Sequence, residues 1–184
     1  NSDLYAINYG IGAGYSSYAE DLFVRQITPS LSFLFREDDD FRSNKRQSLI
    51  FRHVDINRDK DLNNLLTSSE PNYGVFSARY IHSNDNLINF NKWYTDFQVA
   101  KNFSKVSFNY EYRRLFESNR QLNLRVFAGA FLKNNNPINS DYFSFALDRP
   151  TDYLFEYAYL GRSEASGIFS QQYIDAEGGF KSKL

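Results

Sequence analysis

The stretch KVSFNYEYRRLFESNRQLNLRVFAGAFLK, residues 105–133, decides the fold. Up to Arg113, polar and apolar side chains alternate, and the alternation resumes after a short polar turn at 118–120. Successive side chains of a strand point to opposite faces, so this period of two predicts two strands, each with one apolar and one mostly polar face. The turn between the two strands predicts an antiparallel hairpin.

The alternation divides this hairpin into two sets of side chains that are expected to lie on opposite faces. The apolar and aromatic set is Val106, Phe108, Tyr110, Tyr112, Leu122, Leu124 and Val126. The polar set is Asn109, Glu111, Arg113, Asn123 and Arg125.

The same period extends through most of the chain. Residues 5–15 alternate bulky with small or polar side chains, and residues 23–35 continue the pattern after a tight turn near Glu20 and Asp21. Including the hairpin, we predict about ten strands. The further strands are predicted at 47–58, 73–82, 87–101, 142–148, 153–161 and 168–177. Polar loops are predicted at 37–46, 59–72 and 134–141, the second with a short helix around Leu62, Leu65 and Leu66.

Composition excludes several classes of protein. The 184 residues carry a net charge of −1, which lacks the basic footprint of a nucleic-acid-binding protein. The absence of cysteine excludes disulfides, thiolate metal sites and a cysteine nucleophile, and two histidines leave little for histidine-based catalysis. The chain begins at Asn1 and contains no methionine, so we expect residues 1–184 to be a single segment of a longer protein.

Strands of this number and length fit two all-β architectures: a soluble antiparallel sandwich or barrel, and an antiparallel up-and-down transmembrane β-barrel, or a large part of one. In a sandwich each buried tyrosine hydroxyl needs a partner, whereas in a membrane barrel it reaches the headgroups. The predicted apolar faces carry many tyrosines, several near strand ends, and this favours the membrane barrel. These tyrosines are Tyr110, Tyr112, Tyr153, Tyr157 and Tyr159.

The transmembrane interpretation assigns an environment to each face of the hairpin. The apolar set is predicted to face lipid and the polar set to face the lumen. Gly10, Gly12 and Gly14 would share an inward face, where small residues suit a crowded lumen or a bent strand.

Three stretches carry a resemblance to a known family. They are residues 119–132, the run FSFALDRPTDYLF at 143–155, and the end of the chain from GRSE at 161–164 through GGFKSKL at 178–184. Together they resemble the C-terminal barrel region of large outer-membrane proteins of flavobacteria and other Bacteroidota. In that family an aminopeptidase-like, gluzincin metalloprotease domain precedes the barrel. The resemblance implies a cell-surface barrel whose parent protein carries a zinc metallopeptidase-like domain elsewhere.

The chain itself is expected to have no catalytic residue, no metal site and no cofactor. A gluzincin needs a His-Glu-x-x-His motif, and neither His53 nor His82 begins one. The acidic residues Asp38, Asp39 and Asp40 lack the spacing of a calcium loop, and the run DRPTD at 148–152 fits a turn.

We therefore expect an outer-membrane segment that anchors a larger, peptidase-like protein at the bacterial surface. Its expected partners are outer-membrane lipid, the remainder of its own chain and other outer-membrane proteins, with no nucleic acid among them. A solute channel and a soluble β-sandwich binding module are the alternatives. Because each hairpin reverses the direction of the chain, the connections are expected to alternate between the two sides of the membrane. The connections 37–46, 83–86 and 118–120 are expected on one side, and 59–72 and 134–141 on the other. The longer loops are expected outside the cell.

Overall fold

A computed structural model describes residues 3–19, 22–36, 43–59, 72–117 and 120–135, together with residues 143, 145, 146, 153, 154, 181 and 182. Seven long strands make up most of it: β1 (Asp3–Ala19), β2 (Leu22–Arg36), β3 (Lys45–Arg58), β4 (Asn72–Asp85), β5 (Asn89–Ala100), β6 (Phe103–Leu115) and β7 (Gln121–Asn134). Two short strands, β8 (Phe145–Ala146) and β9 (Lys181–Ser182), pair with each other in a separate sheet.

The seven long strands form one antiparallel sheet in chain order, from β1 at one edge to β7 at the other. No residue that the structure describes is helical. The prediction of an all-β antiparallel fold is therefore confirmed, including the hairpin at 105–133, which is β6 and β7. The sheet is not closed into a barrel, because the described strands include none that pairs with the outer edges of β1 and β7.

Beyond residue 141 the structure describes only a few of the residues for which strands are predicted. Only Phe145 and Ala146 of the strand predicted at 142–148 are in a described strand, and Tyr153 and Leu154 of the strand predicted at 153–161 lie in a turn. The strand predicted at 168–177 and the helix predicted around residues 62–66 lie outside the described residues. Tyr157 and Tyr159 lie outside them as well.

The connections alternate between two ends of the sheet, as hairpin parity requires. The ends that β1 and β2, β3 and β4, and β5 and β6 direct toward each other lie at one end of the sheet, which we call the upper end, and β7 also ends there. β2 and β3, β4 and β5, and β6 and β7 follow one another at the opposite, lower end. The predicted division is confirmed for the connections within the sheet, because β2–β3, β4–β5 and β6–β7 follow one another at the lower end and β3–β4 at the upper end. Most of the loop predicted at 134–141 lies outside the described residues.

Strand register defines two faces of the sheet. One row of cross-strand partners is Tyr9, Leu31, Phe51, Ala78, Phe97, Val106 and Ala130. We call the face with this row the outer face. The neighbouring row, on the inner face, is Ser32, Ile50, Arg79, Asp96, Ser107 and Gly129. Adjacent rows thus differ sharply in polarity across most of the sheet.

Proline in the middle of β2 interrupts one ladder only. Pro29 pairs with Ile11 of β1, but the register between β2 and β3 passes from Ile27 directly to Ser30. Proline has no N–H to donate, so an interior strand tolerates it only where a ladder is interrupted.

The apolar core lies on the inner face at the upper end. Val24, Val54, Ile56, Val75 and Phe103 are at most 1% exposed. They pack with residues that follow the sheet in sequence, namely Phe143, Tyr153 and Leu154. At this end the sheet has the ordinary arrangement of a water-exposed protein, because the outer-face neighbours His53, Asp55 and Asn57 are exposed.

Replacement of Ile56 by alanine tests the position of this core. Ile56 is 0% exposed, so we expect Ile56→Ala to lower the free energy of unfolding by about 2–5 kcal/mol. Asn57→Ala, on the opposite face of the same strand, should change it by less than about 0.5 kcal/mol. Urea unfolding followed by tryptophan fluorescence measures both, and equal losses would contradict the placement of the core.

Candidate functional site: the two faces of the sheet

Below the upper core, the inner face buries polar side chains. Ser77, Asp96, Gln98, Lys105 and Asn109 are all 7% exposed or less. Their strand neighbours on the outer face are apolar and remain open, with Phe76, Phe97, Val99 and Phe108 each 37% exposed or more. In a water-soluble sheet the apolar face is the buried one. The middle of this sheet therefore has the reverse polarity.

The exposed apolar surface continues to both edges of the sheet. Tyr9 and Ile11 of β1 are 88% and 81% exposed, and Leu122, Leu124 and Val126 of β7 are at least 44% exposed. A contiguous apolar surface of this extent marks contact with a partner or a membrane.

A chain of hydrogen bonds joins β4, β5 and Tyr153 on the inner face. Arg79 Nη2 lies 2.9 Å from Asp96 Oδ2, in a salt bridge, and Gln98 Nε2 donates to the same oxygen at 2.8 Å. The Tyr153 hydroxyl donates to Gln98 Oε1. A buried carboxylate needs compensation of this kind, because desolvation strongly disfavours an isolated charge.

A second polar group lies on the same face nearer the lower end. Asn109 Nδ2 donates to the Tyr94 hydroxyl at 2.8 Å, and Arg125 Nε donates to Asn109 Oδ1 at 3.3 Å. Glu111 occupies the next inner position of β6 and pairs across the strands with Lys92 and Arg125. Opposite charges at facing positions stabilise neighbouring strands.

The structure places the two predicted sets of hairpin residues on opposite faces of the sheet. The outer face carries Val106, Phe108, Tyr110, Tyr112, Leu122, Leu124 and Val126. The inner face carries Asn109, Glu111, Arg113, Asn123 and Arg125. Asn109 is buried, Glu111 is half-buried, and the other three of this set are exposed near the lower end. Their assignment to lipid and to a lumen stays a prediction.

Lys105 lies in an aromatic cage on the inner face, at the boundary between the buried polar side chains and the apolar core of the upper end. Its ammonium donates to the Phe143 carbonyl oxygen at 2.9 Å. The ammonium also lies 4.6 Å and 4.9 Å from the ring centroids of Tyr153 and Phe145, with the rings of Phe103 and Phe131 within 5.7 Å. The negative faces of aromatic rings stabilise a cation that has lost its water.

Four residues beyond β7 cover the inner face at the upper end; we call Phe143, Phe145, Tyr153 and Leu154 the inner cap. Gln26 Nε2 of β2 donates to the Leu154 carbonyl at 2.9 Å, and the Tyr73 hydroxyl of β4 donates to the Tyr153 carbonyl at 2.5 Å. With Gln98 and Lys105, the cap is bonded to β2, β4, β5 and β6.

The position of Tyr153 differs from the prediction. The sequence placed it on an apolar strand face beside lipid, whereas it is 7% exposed and packs against the inner face. The physical reason is that Tyr153 lies in a turn, where the two-residue period does not apply. Sequence reasoning also missed Arg79, Asp96 and Gln98, because a polar residue within an alternating strand gives no sign that it is buried.

The two histidines do not form a metal site. His53 pairs with Phe76, and His82 pairs with Gln47, which is six residues from His53 on β3. At about 3.4 Å per residue this separates the histidines by about 20 Å. The described residues contain no group of three or more His, Cys, Asp or Glu side chains that could hold a metal ion.

No family model matches the chain, and neither a curated protein nor a solved structure matches it. Within the described residues there is no helix long and apolar enough to cross a membrane.

Removal of the guanidinium of Arg79 tests whether its salt bridge to the buried carboxylate of Asp96 stabilises the inner face. We expect Arg79→Met to lower the free energy of unfolding by about 1–3 kcal/mol, because it leaves the buried charge of Asp96 without its cationic partner, although the guanidinium itself is 39% exposed. The double variant Arg79→Met, Asp96→Leu should lose less, since no buried charge is left. Arg114→Met, at an exposed outer position, is the control. Urea titrations in which the double variant loses more than the single one would contradict this account.

Proposed function

We propose that the chain is a segment of an outer-membrane β-barrel that anchors a larger cell-surface protein and is not catalytic itself. One observation carries the proposal: in the middle of the sheet the exposed face is apolar and the buried face is polar. Outer-membrane barrels have this arrangement because their outer face meets lipid, while their interior is polar.

The height of the apolar surface supports the proposal. On β7 it runs from Leu122 to Leu132, and on β1 from Tyr5 to Tyr15. Ten residue steps at about 3.4 Å, tilted by about 40°, give a height of about 26 Å. The apolar band of outer-membrane barrels is about 25 Å tall.

The borders of the apolar surface also fit a membrane. Tyr5 and Tyr15 stand at its two ends on β1, and Trp93 and Tyr112 lie near its lower border, in the manner of aromatic girdles. Polar residues follow on the outer face. At the upper end they are Arg25, His53, Asp55 and Asn57, and at the lower end Lys45, Asn89 and Arg114.

Strand direction supports a barrel with more strands than the seven described. β1 and β7 run in the same direction, so pairing them directly would be parallel. Antiparallel closure requires an odd number of additional strands between their edges. A barrel of this kind leaves no sheet edge in the hydrocarbon, where unpaired backbone groups are very costly.

The wider role rests on the sequence resemblance. Residues 119–132, 143–155 and 161–184 support the proposal that the parent is a Bacteroidota surface protein with a peptidase-like domain. The charged inner residues favour a second candidate, a channel for small solutes, and conductance in planar bilayers separates it from an anchor. A soluble module would need another apolar partner on the outer face and would stay monodisperse without detergent.

A charge placed in the apolar surface tests the proposed membrane contact. Val126 lies near the middle of the surface on β7, so Val126→Arg should cost about 2–4 kcal/mol in phospholipid vesicles. Gln121→Arg, at an exposed inner position of the same strand, should cost less than about 0.5 kcal/mol. Urea titration of vesicle-inserted protein measures both. Wild-type protein that fails to float with vesicles, or a Val126→Arg cost no greater than that of the control, would contradict membrane contact.

The orientation of the barrel is tested by epitope display. Long loops of such barrels are extracellular and short turns periplasmic, so the upper end should face outward. We expect antibodies to label intact bacteria with an epitope after residue 135 and not those with one at residue 87. Lysed cells of both kinds should be labelled equally. Display at residue 87 alone would reverse the orientation.

A further inference from the structure

The inner cap extends across most of the sheet. Its hydrogen-bonded strands run from β2, through Gln26, to β6, through Lys105. These strands are four spacings apart, which is about 19 Å at about 4.8 Å per spacing. The cap therefore covers the inner face over much of the width that a barrel interior would have.

The side chains that the cap contacts on the sheet are apolar and buried. Val24, Val54, Ile56, Val75 and Phe103, on β2, β3, β4 and β6, are at most 1% exposed and pack directly with the cap. A passage for water or ions needs polar, wetted walls, and these side chains provide none. The polar groups of Arg79, Asp96 and Asn109 lie on the same inner face, nearer the lower end of the sheet.

The sheet has a matching place for the cap. Gly129 of β7 leaves room for the ring of Phe145, because a Cβ atom at this position would lie 3.0 Å from two of its ring carbons. The same ring lies 5.1 Å from that of Phe131 and 5.7 Å from that of Phe127. In addition to its hydrogen bonds to β2, β4, β5 and β6, the cap therefore makes a close packing contact with β7.

Lys105 and the cap depend on each other. The ammonium needs the Phe143 carbonyl and the rings of Tyr153 and Phe145 to replace its lost hydration, since only 5% of the residue is exposed. The cap in turn would lose a hydrogen bond and several ring contacts without the ammonium. A neutral side chain of similar length would keep the packing and lose the attraction.

We propose that the inner cap is a plug that closes the upper end of the barrel, and that Lys105 anchors it there. This proposal rests on the proposed membrane barrel and adds that the intact protein does not conduct. It also explains why a barrel with charged inner residues can serve as an anchor without opening the membrane to solutes.

Thiol labelling tests the position of the plug. The chain has no cysteine, so Leu154→Cys and Leu87→Cys each give one reactive position. Leu87 is 85% exposed and Leu154 is 8% exposed. In detergent-solubilised protein, where a water-soluble maleimide reaches both ends of the barrel, we expect it to label position 154 at least about tenfold more slowly than position 87, because labelling requires local opening. Equal rates would overturn the plug.

Variants of Lys105 test the anchor. In the Leu154→Cys background, Lys105→Met should speed labelling about tenfold and Lys105→Arg should do so less, since arginine keeps the charge and the ring contacts. Lys92→Met, which removes a half-buried inner lysine that pairs with Glu111 instead, is the matched control and should leave the rate unchanged. If Lys105→Met fails to fold, Tyr153→Phe keeps the ring, removes the donor to Gln98 and should speed labelling about threefold. No change in the folded variant would overturn the anchor.

Conductance completes the test. In planar bilayers the wild-type chain should give no stable current steps, and Lys105→Met should give them. Steps from the wild-type chain would overturn closure by the plug. Flotation with vesicles is measured for every variant, so that a failure of the membrane-barrel proposal can be distinguished from a failure of the plug proposal. Wild-type protein that does not float would overturn the membrane barrel, whereas floating protein with fast labelling at position 154 would overturn the plug alone.

Discussion

Polar side chains buried on the inner face must find partners, and the rest of the structure depends on how they do so. The carboxylate of Asp96 accepts hydrogen bonds from Arg79 on β4 and from Gln98 on its own strand. Gln98 in turn accepts from Tyr153 of the inner cap. The requirement that no charge be buried alone thus links two central strands to a segment more than fifty residues further along the chain.

The upper end and the middle of the sheet bury opposite kinds of side chain on the inner face. At the upper end the inner face is apolar, the outer face is polar, and the arrangement suits water outside. In the middle the inner face is polar and the outer face apolar, which suits a low-dielectric exterior. Lys105 lies at the boundary between these regions, where an aromatic cage lets one cation sit beside an apolar core. Strands of this length can therefore carry both arrangements without a change of secondary structure.

The sequence predicted this arrangement best in the strands where the alternating pattern is longest. The hairpin of β6 and β7 was predicted with its two faces, because alternation that recurs in two consecutive segments on either side of a short turn has one physical interpretation. β3 and β4 alternate less clearly, and the structure shows why. On β3 the apolar residues change face, from Leu49 and Phe51 on the outer side to Val54 and Ile56 on the inner side. The cap could not be predicted, because Phe143, Tyr153 and Leu154 have no period and are buried by strands distant in sequence.

The sequence by itself determined the seven long strands, their antiparallel order and the division of the hairpin side chains into two faces. These follow from local geometry, since a strand turns each side chain away from the next whatever surrounds it. The tertiary structure decided which polar side chains are buried, that Tyr153 packs inward, and that Lys105 is enclosed by rings from three separate parts of the chain. Burial and charge compensation are properties of contacts between distant residues, and no local pattern records them.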